Sequence, residues 1–503
     1  MIRPSYGSND PIAAHATPLA ESALAVIRSS GPGCIDLVAA CFSRPKKLSE
    51  APGNTIVHGW IVNKGGEKVD EVLVSVFRAP RSYTGEDAVD ISCHGGIATA
   101  RSVLQCLLDA GFRQALPGEF TFRAFMNGKI DLTRSESVVE LIEAKTDESR
   151  RHALDRLSGA LEAEIRAIKE DLVQALAATE LFLDYSEDDG VSAIAEDGLA
   201  LDCQNPDQIP LPAAEAAGIL PDRKRVEEAL ETLERLAASY RIEKLYRDGA
   251  LVAIAGRPNA GKSSLFNRLL KEERSIVTDI PGTTRDYIEA WISLEGIPVR
   301  LVDTAGLRRA EDPIEQIGVE RSKSIVQSAD LILYIVDGSR GFESEDLQLL
   351  DEYRRSELWE GRDAAPLLVV WNKADVAPHI RPLPETEPIR LPMVLPVSAK
   401  TGIGIPELAH AMKEALSGGS DSAPPAGSQS KAVVGIASER QKALVDRAIE
   451  ALKEALTLAD QRAPLDLIAP ELREAVEALG EITGEVSTAE ILETMFSRFC
   501  VGK

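Results

Sequence analysis

The chain has 503 residues, roughly three domains at the usual 150 or so each, and its composition of 44% hydrophobic and 27% charged residues is that of a folded globular protein. Lys and Arg number 56 against 80 Asp and Glu, a formal charge of -24. This excludes a protein that coats nucleic acid by bulk attraction, but it leaves room for a folded RNA held on a local basic patch. Six cysteines (Cys34, Cys41, Cys93, Cys106, Cys203, Cys500) form no CxxC pair, which argues against a zinc ribbon or a disulfide framework. Apolar runs fall far short of the roughly 18 residues that span a bilayer, and no charged-then-apolar leader opens the chain. The expectation is a soluble cytoplasmic protein with no membrane partner.

Residues 1–130 read as a small α/β domain. Runs at Ala23–Ile27, Thr55–Val57 with Trp60–Val62, Val72–Phe77 and Val89–Ile91 predict strands, separated by turn clusters at Gly31-Pro32-Gly33, Lys64-Gly65-Gly66 and Gly95-Gly96. Residues 131–248 then take helical periodicity. Leu154, Leu157, Leu161, Ile165, Ile168, Leu172 and Leu176 predict one continuous apolar stripe. The acidic, proline-containing stretch 186–220 reads as an exposed insertion. Helix resumes from Arg223 to about Arg247. From 249 to 417 strands and helices alternate in the rhythm of a mostly parallel sheet. Residues 418–430 form a linker by composition, and amphipathic helices occupy 431–503. The α/β segment thus looks inserted into a helical domain built from two sequence-distant halves. The fold class expected is α/β plus all-α, in several domains.

The strongest motif is Gly256-Arg257-Pro258-Asn259-Ala260-Gly261-Lys262-Ser263, followed by Ser264, placed between a buried strand pattern and a helix pattern. This is the phosphate loop GxxxxGK[ST]: glycines let backbone N–H groups converge on phosphate oxygens, Lys262 reaches the terminal phosphates, and Ser263 offers a hydroxyl to Mg²⁺. Further along, Asp303-Thr304-Ala305-Gly306 ends a strand as DxxG, and Asn372-Lys373-Ala374-Asp375 is the NKxD that selects guanine. Asp375 accepts two hydrogen bonds from guanine's edge, and adenine lacks both donors. Ser398-Ala399-Lys400 supplies backbone contact to the guanine oxygen. Four motifs in this order predict a GTP-binding domain. Leu307 follows the DxxG glycine where Ras-type enzymes place a water-orienting Gln, so hydrolysis must be arranged differently. Thr278-Asp279-Ile280-Pro281-Gly282-Thr283-Thr284 is a polar loop at the switch I position, and Glu315 is either a solvated helix carboxylate or a water-orienting group.

The phosphate loop with Asn259, the run Asp279–Asp286, the terminal Phe499-Cys500-Val501-Gly502-Lys503, and the stretches Ala16-Thr17-Pro18, Tyr83-Thr84-Gly85-Glu86-Asp87, His94-Gly95-Gly96 and Pro117-Gly118-Glu119-Phe120 together resemble the MnmE (TrmE) family of tRNA wobble-uridine modification GTPases. The resemblance covers essentially the whole chain except 186–220. It implies an N-terminal folate-binding-like domain that dimerises, a helical domain, and an inserted G domain that pairs in a K⁺-dependent way. It also implies a homodimer and a flavin-protein partner, MnmG, in a heterotetrameric or larger complex. Together they would add an aminomethyl or carboxymethylaminomethyl group to carbon 5 of the tRNA wobble uridine, from 5,10-methylene- or 5-formyl-tetrahydrofolate. Carried onto this chain, the folate pocket would use Arg28, Asp90 (usually Glu in the family), Lys129 and Lys503. Asn259, Thr278, Ile280 and Thr283 would hold K⁺, and Thr284 would join Ser263 on Mg²⁺. Glu315 would orient the attacking water. Cys500 would serve the modification chemistry, against the plainer reading of a buried structural cysteine. A competing function is a GTP-switched ribosome-assembly factor without modification chemistry; the single phosphate loop and the folate-like N-terminus speak against it.

Overall fold

A computed structural model of the chain describes Tyr6 and residues 9–187, 220–273, 275–276, 288–303, 324–354, 365–380, 393–418, 435–486, 489–497 and 499–502. The chain divides into two compact units. One comprises residues 1–139, 162–226 and 450–503, and the other residues 140–161 and 227–449. The acidic stretch read as an insertion lies almost wholly outside the described residues, as does the linker after Gly418.

The first unit opens on a six-stranded sheet of β1 (Ile12–His15), β2 (Leu24–Ser30), β3 (Thr55–Val62), β4 (Lys68–Phe77), β5 (Ala88–His94) and β6 (Arg113–Gln114), in the order β3-β4-β5-β2-β1-β6. All pairings are antiparallel except β1 with β6. Period-two burial is clear in β4, where Val72, Val74 and Val76 point inward and Leu73 outward. The inward residues meet α1 (Cys34–Ala40), α2 (Pro45–Ser49) and α3 (Ile97–Ala110), whose Val103 and Leu107 are fully buried. The opposite face carries Arg28 and Asp90, direct cross-strand partners on β2 and β5. Neither β1 nor β6 was legible in the sequence, because four- and two-residue runs carry too little alternation.

Helices follow: α4 (Glu119–Met126), α5 (Leu132–Glu143), α6 (Asp147–Leu157), α7 (Ala160–Glu187) and α8 (Arg223–Asp248). The apolar stripe expected from Leu154 onward is broken. A turn at Ser158-Gly159, with Gly159 at φ 94°, separates α6 from α7, and Leu154 is 46% exposed. The inward face of α6 belongs instead to Ala153 and Arg156; the latter is 2% exposed and paired with Glu140 and Glu243, at 2.8 and 2.5 Å. A buried charge needs its partners, so this pairing sets the rotation of α6. The uninterrupted stripe begins at Leu161 and continues through Ile165, Ile168 and Leu172.

The second sheet contains β7 (Ala250–Gly256), then α9 (Lys262–Glu272), β8 (Ser275–Ile276), β9 (Ile288–Leu294), β10 (Ile297–Asp303), β11 (Leu331–Asp337), α10 (Ser344–Arg354), β12 (Leu367–Asn372), β13 (Val394–Pro396) and α11 (Ile405–Ser417). Its order is β13-β12-β11-β7-β10-β9-β8, parallel from β13 to β10, with β9 and β8 added antiparallel at one edge. Both faces are covered, which is why β11 reads as the unbroken run Leu-Ile-Leu-Tyr-Ile-Val: Leu331, Leu333 and Ile335 face one core, Ile332, Tyr334 and Val336 the other. Three more helices, α12 (Glu439–Asp460), α13 (Leu465–Thr483) and α14 (Ala489–Phe496), complete the described chain.

Candidate functional site

The carboxyl ends of β7, β10, β11 and β12 gather the predicted motifs at one edge of the parallel sheet, where open α/β sheets bind ligands. The loop after β7 needs left-handed backbone. Gly256 sits at φ 136°, and a Cβ there would lie 2.4 Å from the Ile335 carbonyl. Gly261 sits at φ 98°, with only 2.1 Å between its virtual Cβ and the Asn372 amide nitrogen. Both positions exclude a side chain. Asn259 is left-handed as well, at φ 66°, and lies exposed at the loop tip.

Lys262, 6% exposed at the start of α9, donates from Nζ to the carbonyls of Gly256 and Arg257 at 2.8 and 2.6 Å. Its charge is thereby held inside the loop that is to receive phosphate. Ser263 Oγ donates to Asp303 Oδ2 at 2.7 Å, and Asp303 is fully buried. A hydroxyl and a carboxylate oxygen meeting at the loop fit a hard cation such as Mg²⁺. Ser264 is exposed on the first turn of α9.

Asn372 is the hinge of the base side. Only 2% exposed, it donates from Nδ2 to the Ala260 carbonyl at 2.8 Å and accepts at Oδ1 from the Ala399 N–H at 3.1 Å. It therefore ties the phosphate loop to Ser398-Ala399-Lys400. Asp375 is exposed and accepts from the buried Ser398 hydroxyl at 2.7 Å, which aims its carboxylate while leaving acceptor capacity free. Ala374 is buried behind it, and Lys400 is exposed. Lys373 donates to Asp337 at 2.6 Å. Burial raises the Asp337 carboxyl, but hydrogen bonds from Lys373 and Ser339 outweigh that and hold it below the usual carboxylate range. Thr278, Asp279, Ile280, Pro281, Gly282, Thr283, Thr284, Thr304, Ala305, Gly306 and Glu315 lie outside the described residues, as does Lys503.

A cavity of about 100 Å³ opens on the outer face of the first sheet between Arg28, Ser30, Phe77, Tyr83, Thr84, Asp90 and Phe120. Arg28 and Asp90 form a two-pronged ion pair at 3.0 and 3.1 Å, so the shorter Asp reaches its partner across the strands. The Arg28 guanidinium lies 5.7 Å from the Tyr83 ring, whose hydroxyl is fixed to Thr121 at 2.9 Å. Lys129 donates to the Pro80 carbonyl at 3.0 Å rather than to any lining residue.

The same unit contains what the motifs concealed. Glu119, fully buried, receives Arg113 at 2.6 and 3.0 Å, Arg123 at 3.0 Å and the Leu116 N–H at 2.8 Å, and Arg123 also reaches Glu86. Thus Pro117-Gly118-Glu119-Phe120 and Gly85-Glu86 form an ionic frame behind the cavity. The chain's end packs there too: Val501 pairs with Pro117, the Gly118 N–H donates to the Cys500 carbonyl at 3.3 Å, and Phe496 and Phe499 join Phe122 and Leu132 in one cluster. Cys500 itself is exposed, unlike the other described cysteines. The plainer reading of Cys500 as a buried structural residue is therefore a misfit. Only a register of strands, or a contact between chain ends, makes these arrangements visible.

A parallel sheet whose carboxyl edge joins a phosphate loop, a buried Mg²⁺-type carboxylate and an NKxD asparagine defines a P-loop guanine-nucleotide-binding protein. Family models agree: one described as MnmE helical domain matches residues 132–500, and one described as GTP-binding protein TrmE N-terminus matches residues 11–129. The tRNA modification GTPase MnmE of Treponema denticola is 44% identical over 505 aligned positions, covering 99% of both chains. Those of Carboxydothermus hydrogenoformans and Bacillus subtilis are each 38% identical, covering 98% of this chain and 99% and 100% of theirs. The chain belongs to the MnmE family of tRNA modification GTPases and is a GTP hydrolase.

Proposed function

We propose that this GTPase uses its nucleotide cycle to drive modification of carbon 5 of the wobble uridine in certain tRNAs. The observation that carries the reading is the relationship along nearly the whole chain to tRNA modification GTPases, with both N-terminal and helical parts matched. It favours modification over ribosome assembly.

In the G domain, Lys262 and the backbone from Asn259 to Ser264 bind the phosphates, with Thr304, Ala305 and Gly306 sensing the γ-phosphate. Ser263 and Thr284 would hold Mg²⁺, and Asp303 accepts from the Ser263 hydroxyl. The ion would neutralise charge on the transferring phosphoryl group. Asn372, Lys373, Ala374, Asp375 and Ser398-Ala399-Lys400 hold guanine. Asn259, Thr278, Ile280 and Thr283 would hold K⁺, which would supply the positive charge that Ras-type enzymes take from an arginine and would favour pairing of two G domains. Glu315 orients the attacking water.

The cavity at Arg28 and Asp90 takes the tetrahydrofolate one-carbon donor. Support comes from its aromatic walls, its hydroxyls and one guanidinium, a set that suits a planar heteroaromatic ring bearing polar edges. Lys129 and Lys503 would complete the folate site, and the packing of Val501 against Pro117 brings the described end of the chain to the same unit as the cavity. Exposed Cys500 is then accessible for the modification step. Homodimerisation through residues 1–130, MnmG as the flavin partner and a cytoplasmic location complete the proposal, together with a division into N-terminal, helical and inserted G domains. No helix among the described residues is long and apolar enough to cross a membrane.

The test is mass spectrometry of tRNA nucleosides from cells lacking the protein. Unmodified wobble uridine is expected, and a full set of modified uridines overturns the proposal.

A further inference from the structure

The acidic excess is not evenly spread. Residues 1–130 hold 13 Lys and Arg against 12 Asp and Glu, so the rest of the chain, with 43 against 68, carries the whole of it. An RNA is a polyanion and is repelled by such a surface everywhere except where cations are concentrated.

Within that balanced region four exposed cations lie around one short helix. Arg44 caps α2, Lys46 and Lys47 sit on it, and Arg81 follows a tight turn closed by the Arg81 N–H on the Arg78 carbonyl at 2.8 Å. Arg78 ties this turn to the helix: its guanidinium donates to the carbonyls of Ser49 and Ala51 at 2.6 and 3.0 Å, at the carboxyl end of α2. None of Arg44, Lys46, Lys47 and Arg81 has a carboxylate within 4 Å among the described residues. Exposed Arg150, Arg151 and Arg166, by contrast, each have a carboxylate within 4 Å. The turn leads directly into the cavity, since Phe77, Tyr83 and Thr84 line it on either side of Arg78 and Arg81.

We propose that Arg44, Lys46, Lys47 and Arg81 form the surface on which tRNA backbone phosphates dock, placing RNA beside the cavity of the first unit. The inference rests on the tRNA reading above and adds where the RNA lies. Flexible lysines and solvated arginines suit phosphate positioning, which fixes register without reading sequence.

The experiment measures binding of unmodified tRNA to the full-length protein across a KCl series. Three proteins are compared: wild type, the triple variant Lys46→Glu, Lys47→Glu, Arg81→Glu, and a control with the same charge change, Arg150→Glu, Arg151→Glu, Arg166→Glu. GTP turnover is followed as a check on folding. The first triple variant should bind at least tenfold more weakly, with a salt slope shallower by about 2 to 3, and should hydrolyse GTP at the wild-type rate. The control should stay within about twofold of wild type. If the first triple variant binds as wild type does, or the control loses as much, the surface is wrong while the tRNA reading stands. If the wild type fails to bind tRNA at all, both fall.

Discussion

Asn372→Ala isolates the joint between the phosphate and base halves of the nucleotide site. The side chain is buried and makes two hydrogen bonds, one to the Ala260 carbonyl and one from the Ala399 N–H. Truncation leaves a buried acceptor and a buried donor unpaired, at about 1–3 kcal/mol each. The gap beside Gly261 lets the loop relax and water recover part of this, so about 2–4 kcal/mol is expected to appear in nucleotide affinity. That corresponds to a roughly 30- to 700-fold higher Kd for GTP and GDP alike. Titration with a fluorescent guanine nucleotide reads the loss directly. A Kd within threefold of wild type would refute the reasoning, because it would mean the two loops hold their geometry without the bridge.

Asp375→Asn should weaken GTP binding and strengthen xanthosine triphosphate binding, since the amide matches the xanthine carbonyl; unchanged preference in parallel titrations would show the guanine edge is read elsewhere. GTP turnover should be faster in KCl than in NaCl at equal ionic strength, Asn259→Ala should lose most of that stimulation, and Glu315→Ala should keep K⁺-dependent pairing but lose hydrolysis; equal rates in the two salts sink the potassium mechanism. Glu243 offers a pH test: burial raises its carboxyl, but His152 and Arg156 outweigh this and hold it below its ordinary 4.5. A depressed value stabilises the fold above that pH and is lost as pH falls through the lower, folded value, so acid melting curves should steepen there and flatten in Glu243→Gln. Identical acid limbs for the two proteins would contradict the pairing.

What could be read from sequence was local. The phosphate loop, the DxxG aspartate and NKxD are contiguous, because each is one loop at the end of one strand, and the extent of α8 follows from helical period and the flanking Asp-Gly. What could not be read depends on register or on distant contacts. Arg28 meets Asp90 only because β2 and β5 align them, and from that register the shorter carboxylate reaches the guanidinium. Arg156, polar by composition, displaced Leu154 from the inward face of α6 because Glu140 and Glu243 arrive from other helices. Glu119 entered only as one residue of a stretch that resembles the family, yet it is the buried centre of an ion network.

Coupling of GTP chemistry to tRNA modification is the central claim, and complementation tests it most directly. Cells lacking the protein are supplied with wild type or with Lys262→Ala, which removes the buried ammonium of the phosphate loop. Wobble-uridine nucleosides are then quantified by mass spectrometry. Wild type should restore the modified uridine and Lys262→Ala, expressed and folded to the same level, should leave it unmodified; full restoration by Lys262→Ala would contradict the account.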